Sequence, residues 1–492
     1  MNVAIRRVGV VIVVLFVGLA AQLTYLQLVR APSLNRDPNN SRVITRDFTL
    51  DRGDIVSADG AVLARSIPAP KNDQLKIQRT YPLGALFGHI TGYQSISLGN
   101  TGVEREYDSE LLGRDILLQG HSLADLLNSK NPTGTVVLTL TRAAQEAAKA
   151  ALHGRRGSVV VLDVKTGGIV ASYSEPSFDP TPLASHNTAA VQKYFTALEA
   201  NPLHPDLPRA YRERYPAGST FKVLTTAVGL DTGVVNPTTP FPRVTNIPLP
   251  QSNKTLANFG NERCGGTLAE SFTVSCNTTF ARIGLTLGDR LATGITAFGI
   301  NAPAPPIDLS PGAASSVGPK FGTFSNNQPF FALGAIGQGD VAVTPLEMAL
   351  VAESVADDGV TMVPHVMREI RASDGTVVRR YHPSVWRRTM TPATAAILNE
   401  FMRTVVASPN GTGTAARIPG ITVAGKTGTA EAPGGPPHAW FIAFAPAEAP
   451  RYAIAVIVER GGNAGSEVTG GRIAAPIAAQ VLTALLKGPA SG

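Results

Sequence analysis

Apolar residues along the chain fall into three regimes. The first is a continuous run: Val8 to Val29 holds no charged residue over 22 positions. As a helix rising about 1.5 Å per residue it reaches about 33 Å, enough to cross a bilayer core of about 30 Å. Arg6 and Arg7 precede it, so the positive-inside rule places the N-terminus in the cytoplasm and the rest of the chain outside. Gly18-Leu19-Ala20 has the small-residue spacing of a leader cleavage site. The apolar run continues past it through Leu23, Tyr25, Leu26 and Leu28, which favours an uncleaved anchor.

The second regime, residues 30 to about 133, is polar with short apolar pieces. Asp59-Gly60 between apolar residues signals a hairpin turn. Asn100 to Gly113 reads as a loop and a short helix. No catalytic cluster occurs, so this stretch reads as a spacer or docking module.

The third regime alternates strand and helix patterns. Thr135 to Leu140 alternates apolar and polar residues, and Thr141 can cap an Ala-rich helix over Arg142 to Leu152. Ser158 to Asp163 and Ile169 to Ser174 read as a hairpin around a Lys165–Gly168 turn. From about Pro176 to Pro419, helical segments alternate with Pro/Gly loops. Three strands follow, over Ile421–Thr429, Ala439–Phe444 and Tyr452–Glu459, the last apolar on both faces and therefore central. Ala474 to Leu486 closes the chain as an apolar helix. Two strands before a helical insertion and three after it predict one antiparallel sheet covered by helices, an α+β domain. The expected divisions are 1–29 for the cytoplasmic tip and anchor, 30–150 for a smaller extended domain, and 151–492 for the main domain.

Composition narrows the chemistry. Hydrophobic residues make up 43% of 492, ordinary for a globular protein. The net charge is +7, yet Arg and Lys are scattered and aromatics are only 6%, which argues against nucleic acid. There is no C-x-x-C, and the eight histidines lack ligand spacing, so neither a metal site nor an organic cofactor is implied. Cys264 and Cys276 either form a disulfide outside the membrane or remain buried thiols; the sequence leaves both open.

Three motifs carry candidate chemistry. In Pro216-Ala217-Gly218-Ser219-Thr220-Phe221-Lys222, Pro216 and Gly218 mark a helix start, and Val223, Leu224, Ala227, Val228 and Leu230 give an apolar face. Ser219 then sits near the positive end of the helix dipole, with Lys222 one turn on and on the same face. A serine hydroxyl needs a base, and a desolvated lysine near another cation can serve. Ser275-Cys276-Asn277 lies between two helical stretches and, taken alone, reads as a helix cap. Lys426-Thr427-Gly428-Thr429 lies on a predicted strand, where Gly428 permits close approach. Lys165-Thr166-Gly167 repeats the tripeptide but reads as a plain turn.

In this order, S-x-x-K, S-x-N and K-T-G form the signature of penicillin-binding proteins and serine β-lactamases. The intervals are 56 residues (275 − 219) and 151 residues (426 − 275). Arg52-Gly53-Asp54-Ile55 with Asp59-Gly60, then Tyr81-Pro82, His89 and Gly92-Tyr93, resemble the opening blocks of class B penicillin-binding proteins. So do Gly102-Val103-Glu104 with Tyr107, Leu112 and Gly113, although Leu112 and Gly113 are adjacent here. Gly337-Gln338-Gly339 with Thr344-Pro345-Leu346, and Trp440-Phe441, extend the resemblance over nearly the whole exported chain, in the manner of the actinobacterial division-associated members.

The resemblance implies a penicillin-binding/β-lactamase-like transpeptidase domain behind a pedestal, or dimerisation-like, domain and a transmembrane helix. It implies that Ser219 attacks the penultimate D-alanine of a stem peptide and that Lys222 takes its proton. Ser275 would relay a proton to the leaving amine while Asn277 holds Lys222 and substrate. Lys426, Thr427, Gly428 and Thr429 would bind the substrate carboxylate, and the N–H groups of Ser219 and Thr429 would form the oxyanion hole. The implied partners are peptidoglycan stem peptides, β-lactams, the cytoplasmic membrane, and division or elongation proteins. Two alternatives compete. A β-lactamase or penicillin sensor lacks support because no E-x-x-L-N segment lies between Asn277 and Lys426. A non-catalytic scaffold would have no use for three intact motifs. A second, glycosyltransferase activity is not expected, since about 120 residues separate the anchor from the main domain.

Overall fold

The computed structural model describes residues 2–30, 46–71, 73, 75–119, 133–432, 434–461 and 469–488. The N-terminal run forms a helix over Asn2–Tyr25 that ends in a π-helical turn over Leu26–Arg30. Regular α-helix therefore stops short of the expected Val29. Residues Ile5–Tyr25 are long and apolar enough to cross a membrane, and none of them is buried in the protein. Leu15 and Phe16 stand out from every core, a cost in water that lipid removes.

The pedestal is built on a six-stranded sheet in the order Val377–Arg380, Met367–Arg371, Thr135–Leu138, Ile55–Val56, Val62–Pro68 and Ile77–Thr80. The Asp59-Gly60 signal holds: Ile55–Val56 and Val62–Pro68 pair antiparallel, and Gly60 takes φ +82° in the turn. Two of the six strands come from the central region, where only helices and loops were expected. That region also forms small ribbons, pairing Pro240–Val244 with Cys264–Thr267, Asn246–Pro248 with Thr255–Ala257, and Val360–Met362 with Val385–Arg388. These strands are three to five residues long and lack sustained apolar/polar alternation, so they leave little periodic mark in the sequence. The Met367–Arg380 hairpin also makes one sheet from segments on both sides of residue 150.

The family-block residues of the pedestal meet in its interior. The Glu104 carboxylate lies between Arg52 Nε and Arg79 Nε, each at 2.6 Å, and all three side chains are buried. The Tyr81 hydroxyl donates to Glu104 Oε1 at 3.3 Å and accepts from the Gln94 amide at 2.7 Å.

The main sheet has five antiparallel strands in the order Ala424–Ala432, Gly435–Ala445, Tyr452–Val458, Gly157–Asp163 and Ile169–Glu175. The two strands before the insertion thus join the three after it, as predicted, with Tyr452–Val458 central and buried throughout. Side-chain alternation sorts the faces. Val159, Val161, Ile454 and Val456 face helices Arg142–Leu152 and Gly470–Lys487. Val160, Leu162, Ala455 and Ile457 face the larger core that includes Pro345–Ala356 and Pro392–Ala407. Thr141 caps its helix by accepting from Ala144 N, as the sequence indicated. The Lys165-Thr166-Gly167 copy of the tripeptide lies in the turn of the first hairpin.

Candidate active site

Ser219 lies in a 3₁₀ turn, Gly218–Phe221, that runs directly into the helix Lys222–Asp231. The turn is fixed from three sides. Gly218 N donates to Gly337 O at 2.8 Å, and Trp440 Nε1 donates to Pro216 O at 2.9 Å. Just upstream, the Tyr215 hydroxyl and Arg209 Nε both donate to Glu459 Oε1 at 2.8 Å. Gly218 needs to be glycine: its φ is +54°, and a Cβ there would stand 2.6 Å from Thr429 O. Gly428 answers it across the gap, since a Cβ would come within 2.9 Å of Thr220 Cγ2 and 3.0 Å of Ala217 O. Its missing side chain therefore lets the strand approach the serine turn, and not only a ligand.

Lys222 and Lys426 are both fully buried. Lys222 Nζ donates to Ser275 O at 2.7 Å, to Asn277 Oδ1 at 2.7 Å and to Ser275 Oγ at 3.2 Å. Lys426 Nζ donates to the same Ser275 Oγ at 2.8 Å and to Thr427 O at 3.1 Å. One hydroxyl therefore bridges two lysine side chains. Burial, and then the neighbouring Lys426 cation, hold Lys222 well below the ordinary lysine range. Burial alone brings Lys426 down to about 7. Charged forms are disfavoured because the low-dielectric interior solvates them poorly and the two cations repel.

Ser275 is not a helix cap. The N-cap position of helix Asn277–Leu287 belongs to Cys276. Ser275 precedes it in a left-handed conformation, φ +61°, with its hydroxyl and carbonyl both on lysines. Such a backbone is uncommon for a residue with a Cβ, and it occurs where surrounding contacts over-determine it. Asn277 donates its amide to Ala257 O at 3.2 Å while accepting from Lys222. Cys264 and Cys276 form a disulfide, which resolves the pairing that the sequence left open.

A cleft of about 300 Å³ opens in front of these groups. It is lined by Ser219, Ser275, Asn277, Thr427 and Thr429, with further walls that the motif reading missed. Thr412 is one: its hydroxyl lies 2.6 Å from that of Thr427. Gln338 and Gly470 are others. Gln338 sits inside a quoted family block, whereas Thr412 lies in an unremarkable Gly-Thr tract. Seven of the eight predicted residues meet through contacts or the shared cleft lining: Ser219, Lys222, Ser275, Asn277, Lys426, Thr427 and Thr429. Gly428 lies behind the cleft wall. Among the described residues no group of three or more metal-ligating side chains is clustered.

A serine at a helix start, two desolvated lysines and a bridging serine are an arrangement chemically able to carry out serine acyl transfer. The chain belongs to the penicillin-binding protein transpeptidase family: it matches the penicillin binding protein transpeptidase domain over residues 157–483. Within that family it is a class B member of the PbpA type, and residues 52–137 match the penicillin binding protein A dimerisation domain. It is 40% identical to peptidoglycan D,D-transpeptidase PbpA of Mycolicibacterium smegmatis, covering 99% of each chain. It is 38% identical to the PbpA of Mycobacterium tuberculosis, over 99% of this chain and 100% of that one. Among solved structures it resembles penicillin-binding protein A from M. tuberculosis as a ceftriaxone acyl-enzyme complex. The TM-score is 0.83 and the identity 37%, over 90% of this chain and 100% of that one.

Proposed function

We propose that this protein is a peptidoglycan D,D-transpeptidase that works through a Ser219 acyl-enzyme and is inhibited by β-lactams. The observation that carries the reading is the Lys222–Ser275–Lys426 bridge opening onto the cleft that Ser219 lines. Ser219 Oγ attacks the carbonyl of the penultimate D-alanine, and neutral Lys222 takes its proton. Ser275, in contact with both lysines, passes a proton to the departing D-alanine amine. Asn277 fixes Lys222 Nζ. Thr427 and Thr429, backed by the Lys426 charge, receive the terminal carboxylate. The N–H groups of Ser219 and Thr429 stabilise the oxyanion, a contribution of about 3–4 kcal/mol per donor. An amine of a neighbouring strand then takes the acyl group.

The catalytic portion works outside the cytoplasmic membrane, with helix Asn2–Tyr25 as a single-pass anchor. Support comes from Arg6 and Arg7 ahead of the apolar run and from the Cys264–Cys276 disulfide, which suits an oxidising compartment. Division or elongation proteins are the expected partners of the pedestal. The test is direct: the full chain in detergent is incubated with fluorescent penicillin and followed by intact mass and peptide mapping. A long-lived adduct on the peptide carrying Ser219 is expected. Rapid labelling followed by rapid release would instead favour a β-lactamase, and a folded protein that never labels would favour a scaffold.

The lysine pair also sets a pH profile. Saturating acylation should rise with pH as Lys222 loses its proton, along a limb far below the ordinary lysine value. Lys426 is a like charge that lowers Lys222, so Lys426→Met should move that midpoint upward. Stopped-flow acylation across pH checks both; an unmoved midpoint would remove Lys222 as the titrating base.

A further inference from the structure

Besides the strand Ala424–Ala432, a short 3₁₀ turn, Phe259–Asn261, followed by Glu262, contributes to the cleft. Both Phe259 and Glu262 line the cleft with Ser219. Phe259 is 62% exposed, and the Glu262 side chain is also exposed, with no ion-pair or hydrogen-bond partner among the described residues. Among the described residues lining the cleft, Glu262 alone carries a formal charge. The lysines stand behind the lining, buried.

This turn is fastened to the catalytic loop at several points. Asn258 accepts from Thr278 N at 2.9 Å through Oδ1 and donates to Glu262 O at 2.9 Å through Nδ2. Asn277, which holds Lys222, donates to Ala257 O. The disulfide ties Cys264, two residues past Glu262, to Cys276 between Ser275 and Asn277. An exposed surface glutamate would not need such anchoring, whereas a group that must meet an incoming reactant at a set place would.

The reaction brings two oppositely charged ends to the cleft. The donor peptide carries a carboxylate, which suits the Lys426–Thr427–Thr429 wall and is repelled by a free glutamate. The acceptor carries an amine, which reaches the cleft as an ammonium. We infer that Glu262 is the specificity residue of the acceptor subsite and that it selects cationic amine acceptors. The inference rests on the transpeptidase reading above. In the step it serves, the ammonium first gives one proton to solvent or to the Lys222–Ser275 couple. The free amine then attacks the acyl carbonyl, the N–C bond forms, the C–Oγ bond to Ser219 breaks, and the second amine proton returns to Ser219 Oγ. Glu262 concentrates and orients the cation before that proton is lost, and the exposed Phe259 ring in the same cleft offers an apolar surface for the acceptor's stem.

The test uses the full chain in detergent, a synthetic acyl-D-alanyl thioester as donor, and two acceptors. Nα-acetyl-lysine amide arrives as a cation; hydroxylamine is neutral under the assay conditions. Glu262→Gln should still form the penicillin adduct on Ser219, and it should lower the aminolysis-to-hydrolysis ratio for the lysine acceptor about fivefold, the scale of one partly exposed ion pair. Glu262→Lys should lower it further, and hydroxylamine should partition as in the parent protein. An unchanged lysine ratio, or an equal fall for both acceptors, would overturn the inference while leaving the transpeptidase reading intact. A parent protein that never acylates would remove that reading, and the inference with it.

Discussion

Replacing Lys222 by methionine should slow penicillin acylation of Ser219 about a thousandfold, in the middle of the roughly 10²–10⁴ range that a positioned general base contributes. That is about 4 kcal/mol of barrier. In the proposed mechanism Lys222 takes the Ser219 proton; it lies one turn along from the serine and is fully buried. Burial first, and the Lys426 cation second, favour its neutral form. Methionine keeps the bulk that packs near the Phe280 ring, 5.4 Å from Nζ. It cannot donate, so Asn277 Oδ1 and the Ser275 carbonyl lose a partner. Leaving buried acceptors unpaired costs about 1–3 kcal/mol each, so thermal unfolding must be measured beside the rate. A folded variant with slow labelling by intact mass assigns the loss to proton transfer. Labelling within tenfold of the parent rate would place the base elsewhere.

Much of this centre was legible because each motif sits where local physics leaves a sequence mark. Pro216 and Gly218 announce the serine turn, and the alternation of Ile421 and Val423 points to the strand that carries Lys426, although that strand begins only at Ala424. What could not be read is what depends on contacts between segments. Ser275 alone resembles a cap; only the family resemblance pointed to its role, and its contacts with the two lysines exist only once residues 222 and 426 converge. Thr412 is marked by nothing until its hydroxyl meets that of Thr427. The same limit applied to the fold. The five-stranded sheet follows from long apolar strands, whereas the Met367–Arg380 hairpin is short and rich in arginine. Its strand character comes from pairing with Thr135–Leu138, more than 200 residues earlier in the chain (367 − 138 = 229).

Substituting Glu104 by glutamine should destabilise the protein by about 3–5 kcal/mol, the usual cost of removing one partner from a buried ion cluster. Glu104 neutralises both Arg52 and Arg79 in the pedestal interior. Arg52 keeps Asp108 at 2.7 Å, a partly exposed partner, but Arg79 is left with neutral acceptors such as Gly53 O at 2.8 Å. Burial by itself raises the Glu104 pKa, yet the two guanidiniums outweigh it and hold the group below its ordinary value. The stabilisation from this depressed carboxylate is therefore complete above the ordinary glutamate pKa and is lost as pH falls through the lowered one. The parent protein should lose this increment only in acid, whereas the variant lacks it at neutral pH. Denaturant midpoints at neutral and acid pH measure the difference, which should shrink on acidification. Because the Met367–Arg371 strand belongs to the pedestal sheet and its neighbours pack on the main core, loosening should spread to the catalytic unit as earlier unfolding. Below the unfolding transition, labelling per folded molecule should stay at the parent rate, since no residue of the cluster reaches the cleft. A neutral-pH midpoint unchanged by the substitution would mean that Arg52 and Arg79 are satisfied without Glu104.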